Sequence, residues 1–165
     1  MTLKKLITIV VLLSLPLFSW GADLFVGDKA GNFTLKSNQG ENLRLSEQRG
    51  QVILMTFWGS WCGQCKQQLK GLESLFLQYK DKGFQVWAVS QDEDPEKAAY
   101  NARQSGVSYP VLFDTEHRVA KSYKIDDLPT VVIADRDGTI RYVNEKHKNK
   151  YLEQYQEQVN KLVNE

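Results

Sequence analysis

Apolar and polar positions divide the chain into a readable series of elements. Val52-Ile53-Leu54-Met55-Thr56-Phe57-Trp58 is apolar almost without a break and predicts a strand buried on both faces. Phe84-Gln85-Val86-Trp87-Ala88-Val89-Ser90 predicts a second buried strand. Leu128-Pro129-Thr130-Val131-Val132-Ile133-Ala134 predicts a third, entered through a proline. Between the first two, apolar residues at Leu69, Leu72, Phe76 and Tyr79 recur in steps of three and four, the stripe of an amphipathic helix. The stripe runs back to Cys65 and Cys62, and Gly83 suits the helix C-terminus.

Weaker patterns fill the remainder. Phe33-Thr34-Leu35-Lys36 and Asn42-Leu43-Arg44-Leu45 alternate around the turn Ser37-Asn38-Gln39-Gly40 and predict a small hairpin. Asp94 followed by Pro95 opens a helix through Ala98, Ala99 and Ala102 to Gly106, and the acidic run Asp92-Glu93-Asp94-Pro95-Glu96 is read as no more than that helix start. Tyr109–Phe113 is extended, and a short helix after Asp114 carries Val119, Ala120 and Tyr123. Asp135-Arg136-Asp137-Gly138 turns the third strand into Ile140-Arg141-Tyr142-Val143. A last helix from about Lys148 packs with Tyr151, Leu152, Tyr155, Val159 and Leu162. The order is hairpin, βαβ, then ββα: an α/β domain with a mixed central sheet flanked by helices, spanning 22–165.

Residues 1–21 stand apart. Lys4 and Lys5 precede an apolar stretch from Leu6 to Phe18, and Ser19-Trp20-Gly21 offers a cut ahead of Ala22. This is the layout of a secretory signal, cleaved or retained as a membrane anchor. Both outcomes place the domain in a periplasmic or other extracytoplasmic space. Composition adds exclusions: a formal net charge of +1 over 165 residues gives no electrostatic case for nucleic acid.

The chemistry is concentrated in Trp58-Gly59-Ser60-Trp61-Cys62-Gly63-Gln64-Cys65, which holds both cysteines of the chain. The pair falls at a strand-to-helix junction with Cys62 near the helix N-terminus. Unpaired N–H groups and the helix dipole favour a thiolate there, the reactive form of cysteine. A purely structural bridge across two intervening residues removes little unfolded-chain entropy. Zinc needs about four ligands, and only His117 and His147 remain, both read as surface residues. The pair reads as a redox dithiol.

Phe57-Trp58-x-x-Trp61-Cys62-x-x-Cys65 before a helix, with Leu128-Pro129-Thr130 before a hairpin and terminal helix, resembles the thioredoxin superfamily. The N-terminal hairpin, the leader and the helix-containing insert between 91 and 125 resemble its TlpA/ResA branch of exported thiol–disulfide oxidoreductases. Phe33-Thr34-Leu35, Gly50-x-Val52 and Asp135-x-Asp137-Gly138 support the same likeness, which covers roughly residues 26 to 160.

The resemblance implies a thioredoxin-like fold and a cis peptide bond before Pro129, opposite the dithiol. It implies Cys62 as the attacking thiol and Cys65 as the resolving one. Trp61, Gly63, Gln64, Leu128 and Pro129 are the expected docking residues, and Trp58 is mostly core. No cofactor beyond the cysteine pair is implied. Protein disulfides or thiols are the expected substrates and a membrane redox protein the expected partner, with reduction, as in cytochrome c maturation, the expected direction. Two positions depart from the family: Thr56 and Gln68 stand where relatives often carry proton-accepting carboxylates, and neither side chain can act as one. A copper-binding metallochaperone module on the same scaffold is the alternative, since paired thiolates suit Cu(I).

Overall fold

Every residue of β3 (Val52–Trp58) is buried, as its apolar run predicts. Alternate residues face opposite sides of the sheet. Val52, Leu54 and Trp58 join one apolar cluster, and Ile53, Met55 and Phe57 join the other. The computed structural model of the protein describes residues 26–145 and 150–165. The leader, its cut before Ala22, His147 and Lys148 lie outside the described residues.

β3 pairs in parallel with β4 (Phe84–Ser90) and antiparallel with β6 (Thr130–Ala134). β5 (Val111–Phe113) extends the sheet in parallel beside β4, and β7 (Ile140–Glu145) closes the opposite edge antiparallel to β6. The order β5-β4-β3-β6-β7 is the mixed sheet predicted. The hairpin of β1 (Thr34–Lys36) and β2 (Asn42–Arg44) forms separately, with Leu35 opposite Leu43. It reaches the main sheet through a bridge from Ser37 to Leu112 and through hydrogen bonds between Asn38 and Val111.

One face of the sheet is covered by α1 (Gly63–Tyr79), α2 (Pro95–Gln104) and α4 (Tyr151–Val163) through Leu69, Leu72, Ala98, Ala102, Val159 and Leu162. The other carries α3 (Arg118–Ser122) and Tyr123, with the hairpin's Leu35 and Leu43 at its border. Side chains of this size each contribute about 1.5–3 kcal/mol when fully buried. The result is the thioredoxin-like arrangement anticipated.

Boundaries differ where local chemistry decides. β6 begins at Thr130, two residues after the predicted start, because Pro129 has no N–H for a ladder bond. β5 begins at Val111 rather than Tyr109, whose hydroxyl instead donates to the Leu69 carbonyl at 2.8 Å. α4 starts at Tyr151, with Lys150 as its left-handed N-cap at φ 69°. In α1 the fully inward set includes Leu75, while Phe76 is half-buried. Asp94 caps α2 as predicted, accepting from the Glu96 and Lys97 N–H groups with Pro95 in the first turn, worth about 1 kcal/mol. His117, expected on the surface, is half-buried, and its Nδ1 lies 3.0 Å from Gln91 Oε1.

Arg136 joins three segments. Its guanidinium donates to the carbonyls of Gly50 (2.6 Å), Lys82 (3.1 Å) and Val163 (3.0 Å). Gly83, at φ 75°, passes beneath it, and a Cβ there would meet Arg136 Nη1 at 2.8 Å.

Candidate active site

The buried end of β3 delivers the chain to a tight turn before α1. The Gln91 N–H donates to the Trp58 carbonyl (2.8 Å), and the Cys62 N–H donates to the Gly59 carbonyl (3.0 Å). Trp58 is fully buried, as expected, and Trp61 is 62% exposed. The Trp61 ring lies over Gly59, where a Cβ would come within 2.7 Å of it, so a larger residue at 59 would displace the indole.

Cys62 is the N-cap of the 17-residue α1, and its Sγ accepts from the Cys65 N–H at 3.1 Å. This gives a developing thiolate one of the helix's unpaired donors in addition to the dipole. Cys62 and Cys65 form a disulfide with Cα atoms 5.2 Å apart. Cys65 is fully buried, Cys62 is half-buried, and Gly63 and Gln64 are exposed between them. The two sulfurs thus differ sharply in access.

The Leu128–Pro129 peptide bond is cis, as the resemblance implied. Register brings it to the dithiol's end of the sheet: Phe57 pairs with Thr130, so Pro129 lies beside the exit of β3. The Thr130 hydroxyl donates to the Asp127 carbonyl at 2.7 Å and tightens that loop. Leu128 is half-buried and, like Cys62, packs against the helix-side cluster.

Thr56 and Gln68 meet between β3 and α1. The Thr56 hydroxyl donates to Gln68 Oε1 at 2.8 Å, and Gln68 Nε2 donates to the Tyr155 hydroxyl at 3.2 Å. Thr56 and Gln68 are fully buried and Tyr155 nearly so. Burial, with a smaller contribution from neighbouring Tyr151, pushes the Tyr155 phenol up to about 12, against a slight lowering by the Gln68 hydrogen bond.

Asp92, in the acidic run to which the sequence gives no role beyond a helix start, is 2% exposed. Its carboxylate accepts from Ser60 N (3.0 Å), Ser60 Oγ (2.5 Å) and Ser90 Oγ (2.8 Å). The available signal was Ser90-x-Asp92 at a strand end, a spacing that supports a local side-chain-to-backbone turn. Indeed the Asp92 N–H donates to Ser90 Oγ at 3.0 Å. Among the described residues no cluster of three or more His, Cys, Asp or Glu side chains is grouped to hold a metal ion.

Residues 26–143 match the model of the AhpC/TSA family. The chain belongs to the AhpC/TSA family. Among its relatives in this thioredoxin-like family is the thiol-disulfide oxidoreductase ResA of Geobacillus kaustophilus, 30% identical over 72% of this chain and 68% of the relative. The ResA of Bacillus cereus is 28% identical over 84% of this chain and 80% of its own. A crystal structure described as thiol:disulfide interchange protein DsbE from Chlorobium tepidum superposes with a TM-score of 0.81, at 30% identity, covering 86% of this chain and 99% of that one. With these homologues and a Cys62–Cys65 pair at the same two-residue separation as the motif, this AhpC/TSA member is a thiol–disulfide oxidoreductase.

Proposed function

We propose that the protein is an extracytoplasmic reductase of protein disulfides, with Cys62 as nucleophile, Cys65 as resolving thiol and no cofactor beyond the pair. The observation that carries this reading is the unequal exposure of two bonded sulfurs: Cys62 half-exposed at the mouth of α1, Cys65 wholly buried. In the reduced protein the Cys62 thiolate attacks a substrate disulfide, forms a mixed disulfide and expels one substrate thiolate. Cys65, one turn along, attacks Cys62 Sγ and expels the second. The substrate gains two electrons and two protons, and the Cys62–Cys65 disulfide is restored.

Trp61, Gly63 and Gln64 on one side and Leu128 and Pro129 on the other form the docking surface in this reading. Backbone groups beside the cis-proline pair with an extended substrate strand. Regeneration then requires an electron donor, for which a membrane redox protein is the proposed partner. The leader at 1–21, cleaved or retained, directs export, and 22–165 is the working domain. The relatives named ResA support the reaction class; clients of cytochrome c maturation type are the proposed substrates.

The test is a pair of variants assayed on a disulfide-bonded peptide. Cys62→Ser abolishes turnover, and Cys65→Ser accumulates a mixed disulfide that is visible by mass. Normal exchange by the Cys62→Ser protein overturns the assignment.

A further inference from the structure

We propose that Asp92 is a positioning residue whose buried carboxylate, hydrogen-bonded to Ser60, opposes the Cys62 thiolate and so holds the dithiol toward reducing chemistry. This rests on the reading of Cys62 and Cys65 as an exchanging pair.

Three observations converge. Both Asp92 oxygens act as acceptors, toward Ser60 N, Ser60 Oγ and Ser90 Oγ, and all three donors are neutral. The charge is dispersed without being cancelled. Second, the carboxylate is 2% exposed, so water screens it poorly. Third, it grips the reactive turn itself. Ser60 stands two residues before Cys62, and the turn is folded back by the bond from Cys62 N to Gly59 O at 3.0 Å. Chain geometry then keeps the carboxylate within about 15 Å of the Cys62 sulfur.

Other charges surround the turn. Lys66 lies in the first turn of α1 and is half-buried. Glu93, Asp94, Lys97 and half-buried His117 line the groove beside Trp61 together with Asp92. Asp126 and Asp127 precede the cis peptide and are exposed. Asp114 is buried and accepts from the Val119 and Ala120 N–H groups and from Gln91 Nε2 at 3.3 Å. The exposed groups are screened by water and salt, half-buried Lys66 and His117 partly so, and Asp114 is bonded to the start of α3 and to Gln91, not to the turn. Asp92 is the buried acid bonded to the turn. It works against the α1 dipole and the Cys65 N–H, both of which favour the thiolate. A thiolate that is harder to form makes the reduced pair less stable and a stronger electron donor.

The experiment measures thiolate formation in the reduced full-length protein by ultraviolet absorbance, and the dithiol–disulfide equilibrium against glutathione. In that equilibrium the Cys62–Cys65 bond forms as two electrons and the two thiol protons pass to glutathione disulfide, giving two reduced glutathiones. Asp92→Asn keeps the shape and an acceptor while removing the charge. It raises the thiolate-to-thiol ratio of Cys62 at fixed pH by roughly three- to tenfold and moves the equilibrium toward the dithiol. Ser60→Ala and Ser90→Ala each remove a neutral donor and leave the charge, so the less dispersed carboxylate opposes the thiolate more strongly and the ratio falls. A change of less than about twofold in Asp92→Asn, or a ratio that rises or stays level in both alanine variants, overturns the proposal. The alanine variants decide the matter even where Asp92→Asn does not fold. A wild-type protein that never interconverts with glutathione overturns the exchange reading itself, and this proposal with it.

Discussion

Gln68 donates its amide Nε2 hydrogen to the Tyr155 hydroxyl across 3.2 Å, joining α1 to α4 three residues after Cys65. Its Oε1 is held by Thr56 from β3 at 2.8 Å. Three neutral side chains from three elements therefore satisfy one another in the interior. Thr56→Val leaves the Gln68 oxygen without its donor and is expected to cost about 1–2 kcal/mol. Gln68→Ala adds a cavity and strands two hydroxyls, costing about 2–4 kcal/mol. Urea denaturation of the oxidised proteins reads both, and a Gln68→Ala protein as stable as the wild type would remove the structural role assigned to this trio.

The same tyrosine makes stability sensitive to alkali. In the unfolded chain its phenol ionises near 10, and in the fold burial holds it to about 12. Burial also raises Tyr109 and Tyr123. Across that interval the folded state binds more protons than the unfolded one. The contribution is thus complete below pH 10, is lost as pH climbs through 12, and amounts to about 2–3 kcal/mol for Tyr155 alone. Urea midpoints followed upward from neutral pH should stay level and then decline. Tyr155→Phe, less stable at neutral pH for lack of Gln68's acceptor, should decline less steeply.

Trp61 offers a separation of binding from folding. At 62% exposure it contributes little to the core, so Trp61→Ala should change stability by no more than about 0.5 kcal/mol. Its loss should raise KM for a protein disulfide several-fold and leave exchange with a small soluble disulfide nearly unchanged. Steady-state assays on the two substrate sizes, run side by side, test this; equal losses on both would remove Trp61 from the docking surface.

Arg136 is expected to matter for stability alone. Its carbonyl partners Gly50, Lys82 and Val163 lie on separate segments. Hydrogen bonds to a charged donor are worth about 1.5–3 kcal/mol each when buried and less at the surface. Arg136→Ala should therefore cost about 2–3 kcal/mol in total, and Arg136→Lys, without the planar fork, should recover only part of it. Thermal melts give the order, and the exchange rate of the cysteine pair in the folded variants should match the wild type.

Much of the fold is legible because its elements announce themselves locally. The nearly unbroken apolar run 52–58 reads as a doubly covered strand, and Asp94-Pro95 writes its own helix start. Cys62 at the mouth of α1 follows from the same reading. What escaped depends on partners distant in the chain. Gln68 stands out in the sequence as neutral where the resemblance leads one to look for an acid, but its bonds to Thr56 and Tyr155 come from other elements and are not written there. Asp92 looks like no more than a helix start beside Glu93 and Asp94 until Ser60, 32 positions earlier, folds over it. The cis geometry before Pro129 came from kinship, since no periodicity encodes it.

The pairing of β3 with both β4 and β6 has an evolutionary corollary. Trp58 is opposite Ser90, and Phe57 is opposite Thr130, so three loops leave one seam of backbone hydrogen bonds. Main-chain ladders are indifferent to side-chain identity. The surface those loops present can drift, and with it the choice of client, while the sulfur chemistry stays anchored to the same scaffold.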